Sequence, residues 1–81
     1  MKVVVYDKEH CPKCLFTERK LEAHNIPFET RNILDPENKD TLGWAQESGN
    51  VTLPLVFIDD EFAWGDLKMD EVDKLVAKQN K

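Results

Sequence analysis

At 81 residues, with 41% hydrophobic and 33% charged side chains, the chain has enough apolar material for one core and too little, too evenly spread, for a membrane span. Eleven Lys and Arg against sixteen Asp and Glu give a net charge of −5, the wrong sign for binding by neutralisation of nucleic-acid phosphates or an anionic membrane. A single domain over residues 1–81 is expected, monomeric and cytoplasmic, because the apolar run at Val3-Val4-Val5-Tyr6 is too short for a secretory core segment and no small-residue cleavage site follows.

In chain order, Lys2 to Tyr6 is a β-branched and aromatic run that predicts a buried strand, ending at Asp7-Lys8-Glu9-His10. Helical periodicity begins at Pro12. Cys14, Thr17 and Leu21 fall at i, i+3 and i+7 on one face, whereas Glu18, Arg19, Lys20 and Glu22 fall mostly elsewhere. Pro12 suits a first helical turn and Asn25 a stop. Ile26 to Ile33 predicts a second strand, with Pro27 at its start and Phe28 as a core candidate. Asp35-Pro36-Glu37 opens a second helix that runs through Leu42, Trp44 and Ala45 to a stop at Gly49, with Gly43 weakening it. Trp44 is a packing candidate.

Leu53 to Ile58 predicts a third strand, Asp59-Asp60 a two-residue turn and Glu61 to Trp64 an antiparallel return. In the last helix Asp66 is the expected cap, and Asp70 and Glu71 sit in its early turns. Val72, Leu75 and Val76 form its apolar stripe, and Lys74, Lys78 and Lys81 lie toward the negative dipole end. The order is β-α-β-α-β-β-α. A βαβ crossover demands parallel strands and a two-residue turn demands an antiparallel pair, so the fold class is α/β: a mixed four-stranded sheet with three helices on its two faces.

The two cysteines, Cys11 and Cys14, enclose Pro12-Lys13, a spacing that random placement in this length would give about 2% of the time. A structural disulfide closing so small a loop restrains the unfolded chain little, so a reactive or metal-bound pair is the better reading. At a strand end and helix start, Cys11 faces unpaired backbone N–H groups and the positive dipole end, which favour its thiolate. Reactive cysteines so placed have pKa values of roughly 3.5–7.5 against ~8.5 for a free thiol. Lys8 and Lys13 add positive charge nearby. Cys14, one turn further and toward the interior, keeps its proton until it resolves a mixed disulfide. One helical turn also sets the two Cα atoms roughly 5–6 Å apart, a disulfide separation.

The metal reading is weaker. Zinc needs four ligands, and His10 and His24 lie fourteen positions apart, so no metal-ligand residues are assigned. A cluster shared by two chains would have four cysteines and stands as a remote alternative. His10 is read as an exposed loop histidine with no role in proton transfer.

Cys11-Pro12-Lys13-Cys14 at a strand-to-helix junction of a βαβαββα chain resembles the glutaredoxin family, within the thioredoxin fold. The resemblance extends over the chain. Tyr6 to Cys14 is similar to the family's aromatic-x-Lys-x-x-Cys-Pro-x-Cys segment, Ser48-Gly49 with Thr52-Leu53-Pro54 to its Ser-Gly…Thr-Val-Pro stretch, and Val56-Phe57-Ile58-Asp59 to the strand after it. The resemblance implies a dithiol–disulfide oxidoreductase in which Cys11 attacks a partner disulfide and Cys14 releases it. It also implies a cis Pro54 beside Cys11, exposing the Leu53 backbone to an extended substrate. An edge-strand proline is the alternative for Pro54. Lys8, Pro12, Lys13, Thr52, Leu53, Pro54, Trp64, Gly65 and Asp66 are the implied substrate-binding residues.

Two departures bear on subfamily. Trp64-Gly65-Asp66 stands where glutathione-using glutaredoxins commonly have Gly-Gly then Asp. Trp64 through Asp70 loosely resembles the Trp-Ser-Gly-Phe-Arg-Pro-Asp segment of NrdH-type redoxins. That resemblance implies no tightly bound cofactor, electrons from a thioredoxin-reductase-like flavoenzyme (NADPH), and ribonucleotide reductase or other disulfide proteins as acceptors. A glutathione-dependent glutaredoxin is the alternative, with a cluster carrier or a non-catalytic binding module more remote. An indole at position 64 would fill the glutathione groove or bar backbone approach, unless Trp64 is simply a core aromatic. Asp7, where relatives usually carry Thr or Ser, would oppose a low Cys11 pKa if it faces the sulfur.

Overall fold

Alternating side-chain direction along the first strand decides the layering. In β1 (Val3–Asp7), Val3 and Val5 point to one face and Val4 and Tyr6 to the other, and all four are buried, so both faces must be covered. The computed structural model describes residues 1–79 and shows how. Val3, Val5, Val56 and Trp64 pack under Leu21 of the first α-helix, Ile26 just after it, and Val72 and Leu75 of the last α-helix. Val4, Tyr6 and Leu55 pack against Ile33 and Ala45 on the opposite face. The sheet order is β2-β1-β3-β4, with β1 parallel to β2 (Glu29–Asn32) and antiparallel to β3 (Leu55–Ile58), which pairs antiparallel with β4 (Glu61–Gly65).

Helix α1 (Pro12–Ala23) buries Cys14, Thr17 and Leu21, the face that the periodicity predicts. Its end is a Schellman motif. Asn25 is left-handed at φ 58°, its N–H donates to the Glu22 carbonyl, and the Ile26 N–H donates to the Leu21 carbonyl as both side chains enter the core. That motif and Pro27, which has no N–H, delay the second strand: the ladder starts at Glu29, although Ile26 and Ile33 are both buried. The Asp35-Pro36-Glu37 start becomes a 3-10 turn at Pro36–Asn38, and α2 (Lys39–Ser48) follows, ending at Gly49 with φ 81°. Trp44 meets Phe57 and Phe62 at ring separations of 5.6 and 5.0 Å, as a packing residue does.

Asp59 and Asp60, at φ 51° and 68°, form the two-residue hairpin loop that left-handed residues favour. Opposite it, β4 carries a bulge. Val56 pairs with Trp64 and Phe57 with Phe62, so Ala63 is the extra residue. Phe62 therefore joins the α2 layer and Trp64 the α1/α3 layer, although two residues apart on a regular strand would share a face.

Helix α3 (Met69–Gln79) buries Val72 and Leu75. Asp66 does not cap it. With φ 72°, Asp66 turns the chain three residues before the helix, and the N–H groups of Glu71 and Val72 in its first turn donate to the Lys68 carbonyl. Lys78 lies in the last turn, and Lys81 lies outside the described residues. Among the described residues, no helix is long and apolar enough to cross a membrane.

Candidate active site

Strand register gathers the site at one end of the sheet. Tyr6 pairs with Leu55 and Leu55 with Gly65, so the chain leaving β1 toward Cys11, the chain entering β3 from Pro54 and the chain leaving β4 toward Asp66 emerge side by side. Cys11 and Cys14 are disulfide-bonded with Cα atoms 5.3 Å apart. Cys11 is the N-cap of α1: its Sγ accepts the Cys14 N–H at 3.2 Å and its carbonyl accepts the Leu15 N–H at 3.1 Å. Cys11 is partly exposed, whereas Cys14 is 3% exposed on the buried face. Pro12 occupies the first helical position, exposed.

At the same end of the sheet, Leu53–Pro54 is a cis peptide and Pro54 is fully buried. The Asp66 N–H donates to the carbonyls of both Thr52 and Pro54 at 3.0 Å, tying the β4 exit to the cis-proline loop. Between those carbonyls, Leu53 makes no loop or cap backbone hydrogen bond among the described residues. Gly65 suits that closeness, where a side chain would be tight. A Cβ there would lie 3.2 Å from Leu55 Cδ2 and 3.3 Å from the Thr52 carbonyl oxygen.

Lys13 does not stand free beside the sulfurs. Its ammonium lies 2.8 Å from Asp66 Oδ1, which also accepts the Leu67 N–H at 2.7 Å. These bonds, the lysine's first, hold the Asp66 carboxyl below the usual carboxylate range. Exposed Lys8 has no ion-pair partner among the described residues. Trp64, at 4% exposure, belongs to the α1/α3 core and contributes part of the wall of a cavity of about 300 Å³ bordered by Thr52, Gly65 and Asp66. Trp64 thus packs in the core, and its indole Nε1 is buried without a hydrogen-bond partner.

A second cavity, of about 500 Å³, opens on the cysteines and is walled by Asp7, Lys8, His10, Cys11, Cys14 and Glu18. Glu18, placed by its periodicity among the mostly outward residues, lines this cavity with its Oε2 buried. Burial first, then a hydrogen bond to Asp7 and the charges of Asp7 and Glu22, raise its pKa to about 8. Its position one turn after Cys14, together with an acid at the end of the preceding strand, was the available signal. Among the described residues no group of three or more His, Cys, Asp or Glu side chains is arranged to hold a metal ion.

The glutaredoxin family model matches residues 3–63. A glutaredoxin-like protein NrdH of Salmonella typhimurium is 30% identical over 76 residues, which make up 93% of this chain and 89% of that protein. The solved NrdH-redoxin of Escherichia coli has the same fold, with a TM-score of 0.76 at 24% identity over 93% of this chain and 95% of the other. Glutaredoxin 1 of Francisella tularensis, solved with cacodylate, is 31% identical with a TM-score of 0.66, covering 99% of this chain and 98% of its own.

Proposed function

Because the chain belongs to the glutaredoxin family and is a thiol–disulfide oxidoreductase of the NrdH-like kind, we propose that it reduces protein disulfides with Cys11 as nucleophile and Cys14 as resolving thiol, ribonucleotide reductase being the principal acceptor. The observation that carries the assignment is the asymmetry of the pair: a partly exposed sulfur at a helix start and a sulfur one turn on at 3% exposure. The Cys11 thiolate, stabilised by the Cys14 N–H and the helix dipole, attacks the partner's disulfide and expels one partner thiolate. Cys14 then loses its proton, attacks Cys11 Sγ, and releases the second partner thiolate as the Cys11–Cys14 disulfide closes. Leu53, between the two tied carbonyls, offers its backbone to an extended partner segment. Pro12, Thr52, Pro54 and Gly65 shape the groove around it.

The electron donor in this reading is a thioredoxin-reductase-like flavoenzyme carrying electrons from NADPH. A γ-glutamyl carboxylate needs backbone N–H groups on the turn after β4. There the Asp66 N–H is already shared by two carbonyls, and the Lys13–Asp66 ion pair spans the approach from the cysteine side. The obstacle is thus Asp66 with Lys13, the indole of Trp64 being in the core. Exposed Lys8 favours a second, weaker reading in which glutathione binds by its carboxylates.

Turnover on one disulfide acceptor, with thioredoxin reductase and NADPH compared against glutathione and glutathione reductase, separates the two readings. Faster turnover with the flavoenzyme is expected. Efficient glutathione-coupled turnover would establish the ordinary glutaredoxin reading instead.

A further inference from the structure

Two acidic residues line the cavity that opens on the cysteine pair. Asp7 comes from the end of β1 and Glu18 from α1, one helical turn beyond Cys14 on the side that the cavity reaches. Asp7 opposes the ionisation of Glu18 both as a hydrogen-bonding neighbour and by its charge, and two carboxyls share a hydrogen bond only if one carries a proton. Glu18 Oε2 is buried and has no N–H or O–H donor among the described residues. A neutral Glu18 carboxyl avoids the cost of burying a charge on that oxygen. Of the other charges, Glu22 on the same helix adds repulsion, and Lys8 and His10 of the preceding loop line the cavity. Asp73 of α3, packed against α1, is paired with Lys20 at 2.9 Å.

We propose that Glu18, sharing a proton with Asp7, is the proton donor and acceptor for Cys14 Sγ in the redox cycle. The proposal rests on the exchange reading above. When a dithiol reduces the Cys11–Cys14 disulfide, its thiolate bonds to Cys11 Sγ and the Sγ–Sγ bond breaks. Cys14 leaves with the electron pair and takes the Glu18 proton, directly or through one water in the cavity. The dithiol's second sulfur then attacks its own mixed disulfide, Cys11 leaves as a thiolate, and the proton released restores Glu18. In the oxidising direction Glu18 takes the proton from Cys14 as that sulfur attacks Cys11. The pKa of about 8 leaves Glu18 protonated at neutral pH, as a donor to a departing thiolate must be.

The test is the rate of reduction of the Cys11–Cys14 disulfide by dithiothreitol, followed by quenching with an alkylating agent and mass measurement, for the full chain and for Glu18→Gln. Taking the ratio of the two rate constants at each pH cancels the ionisation of dithiothreitol itself. A ratio of at least about tenfold near pH 6 is expected, falling toward one above pH 8 as Glu18 loses its proton. Asp7→Asn removes the like charge and should move that fall to lower pH; if Glu18→Gln does not fold, the ratio of the full chain to Asp7→Asn carries the test, expected to be near one at pH 6 and to rise toward pH 8, where the variant has lost its Glu18 proton first. A ratio of one throughout, a ratio independent of pH, or no displacement in Asp7→Asn would overturn the proposal while leaving the exchange reading intact. A disulfide in the unmodified chain that dithiothreitol cannot reduce would overturn both.

Discussion

Glu18 links the site to stability through its proton. Its pKa is about 8 in the folded chain against the ordinary 4.5, so the folded state holds a proton that the unfolded chain sheds between those values. That linkage favours folding fully below pH 4.5 and is lost as pH rises through 8. Glu18→Gln, neutral at every pH, should therefore be more stable than the natural chain at pH 8, by about 1 kcal/mol because solvent screens a partly exposed group, and no more stable at pH 4. Urea denaturation at the two pH values measures the difference. Asp66 behaves oppositely: its lowered pKa gives a contribution present above the normal carboxylate pKa and lost in acid. Lys13→Ala should remove the largest cause of that lowering, which carbon-13 NMR titration of the Asp66 carboxyl would show as a rise in its pKa.

At the level of elements, the β4 exit and the cis-proline loop are locked by contact. Gly65→Ala would press its Cβ on Leu55 and the Thr52 carbonyl, and overpacking of that kind costs about 1–3 kcal/mol. The same push displaces Thr52 from the Asp66 N–H, so disulfide-reductase turnover should fall along with the urea midpoint; an unchanged midpoint would mean the loop yields freely. What the sequence made legible follows the same division. Period-two and period-3.6 patterns are local, so Val3 to Tyr6, the Cys14-Thr17-Leu21 face, Asn25, Gly49 and Asp59-Asp60 could be placed from neighbours alone. Asp66 could not. Whether it caps a helix or turns the chain depends on Lys13, Thr52 and Pro54, which reach it only after the sheet has formed. The second strand is shorter than its apolar pattern predicts for a related reason, since Ile26 is buried at the end of a helix and not by a ladder. Glu18 was overlooked because its burial comes from Asp7 and the cavity, across the strand-to-helix junction.

For the whole molecule, the sheet separates two apolar layers, and Trp64 is the largest residue of one of them. Replacing so large a buried side chain by alanine typically removes about 3–5 kcal/mol, a large share of the ~5–15 kcal/mol by which domains are stable. Trp64→Ala should accordingly be strongly destabilised in urea, and a gain in glutathione turnover is better sought in Lys13→Ala, which leaves the layer intact. The bulge at Ala63 determines which layer receives that indole. It acts as a phase shift of one residue in the strand. Ala63 is exposed, so many side chains can occupy its position, but the number of residues between Asp60 and Gly65 is not adjustable in the same way. Removing one would return the strand to regular alternation, bring Phe62 and Trp64 into competition for one side of the sheet, and deliver Gly65 and Asp66 to the cysteine end with their directions exchanged. In this hairpin chain length is thus a stricter requirement than chemical identity at the inserted position, and the turn that meets Lys13 is timed by a residue that touches none of the chemistry.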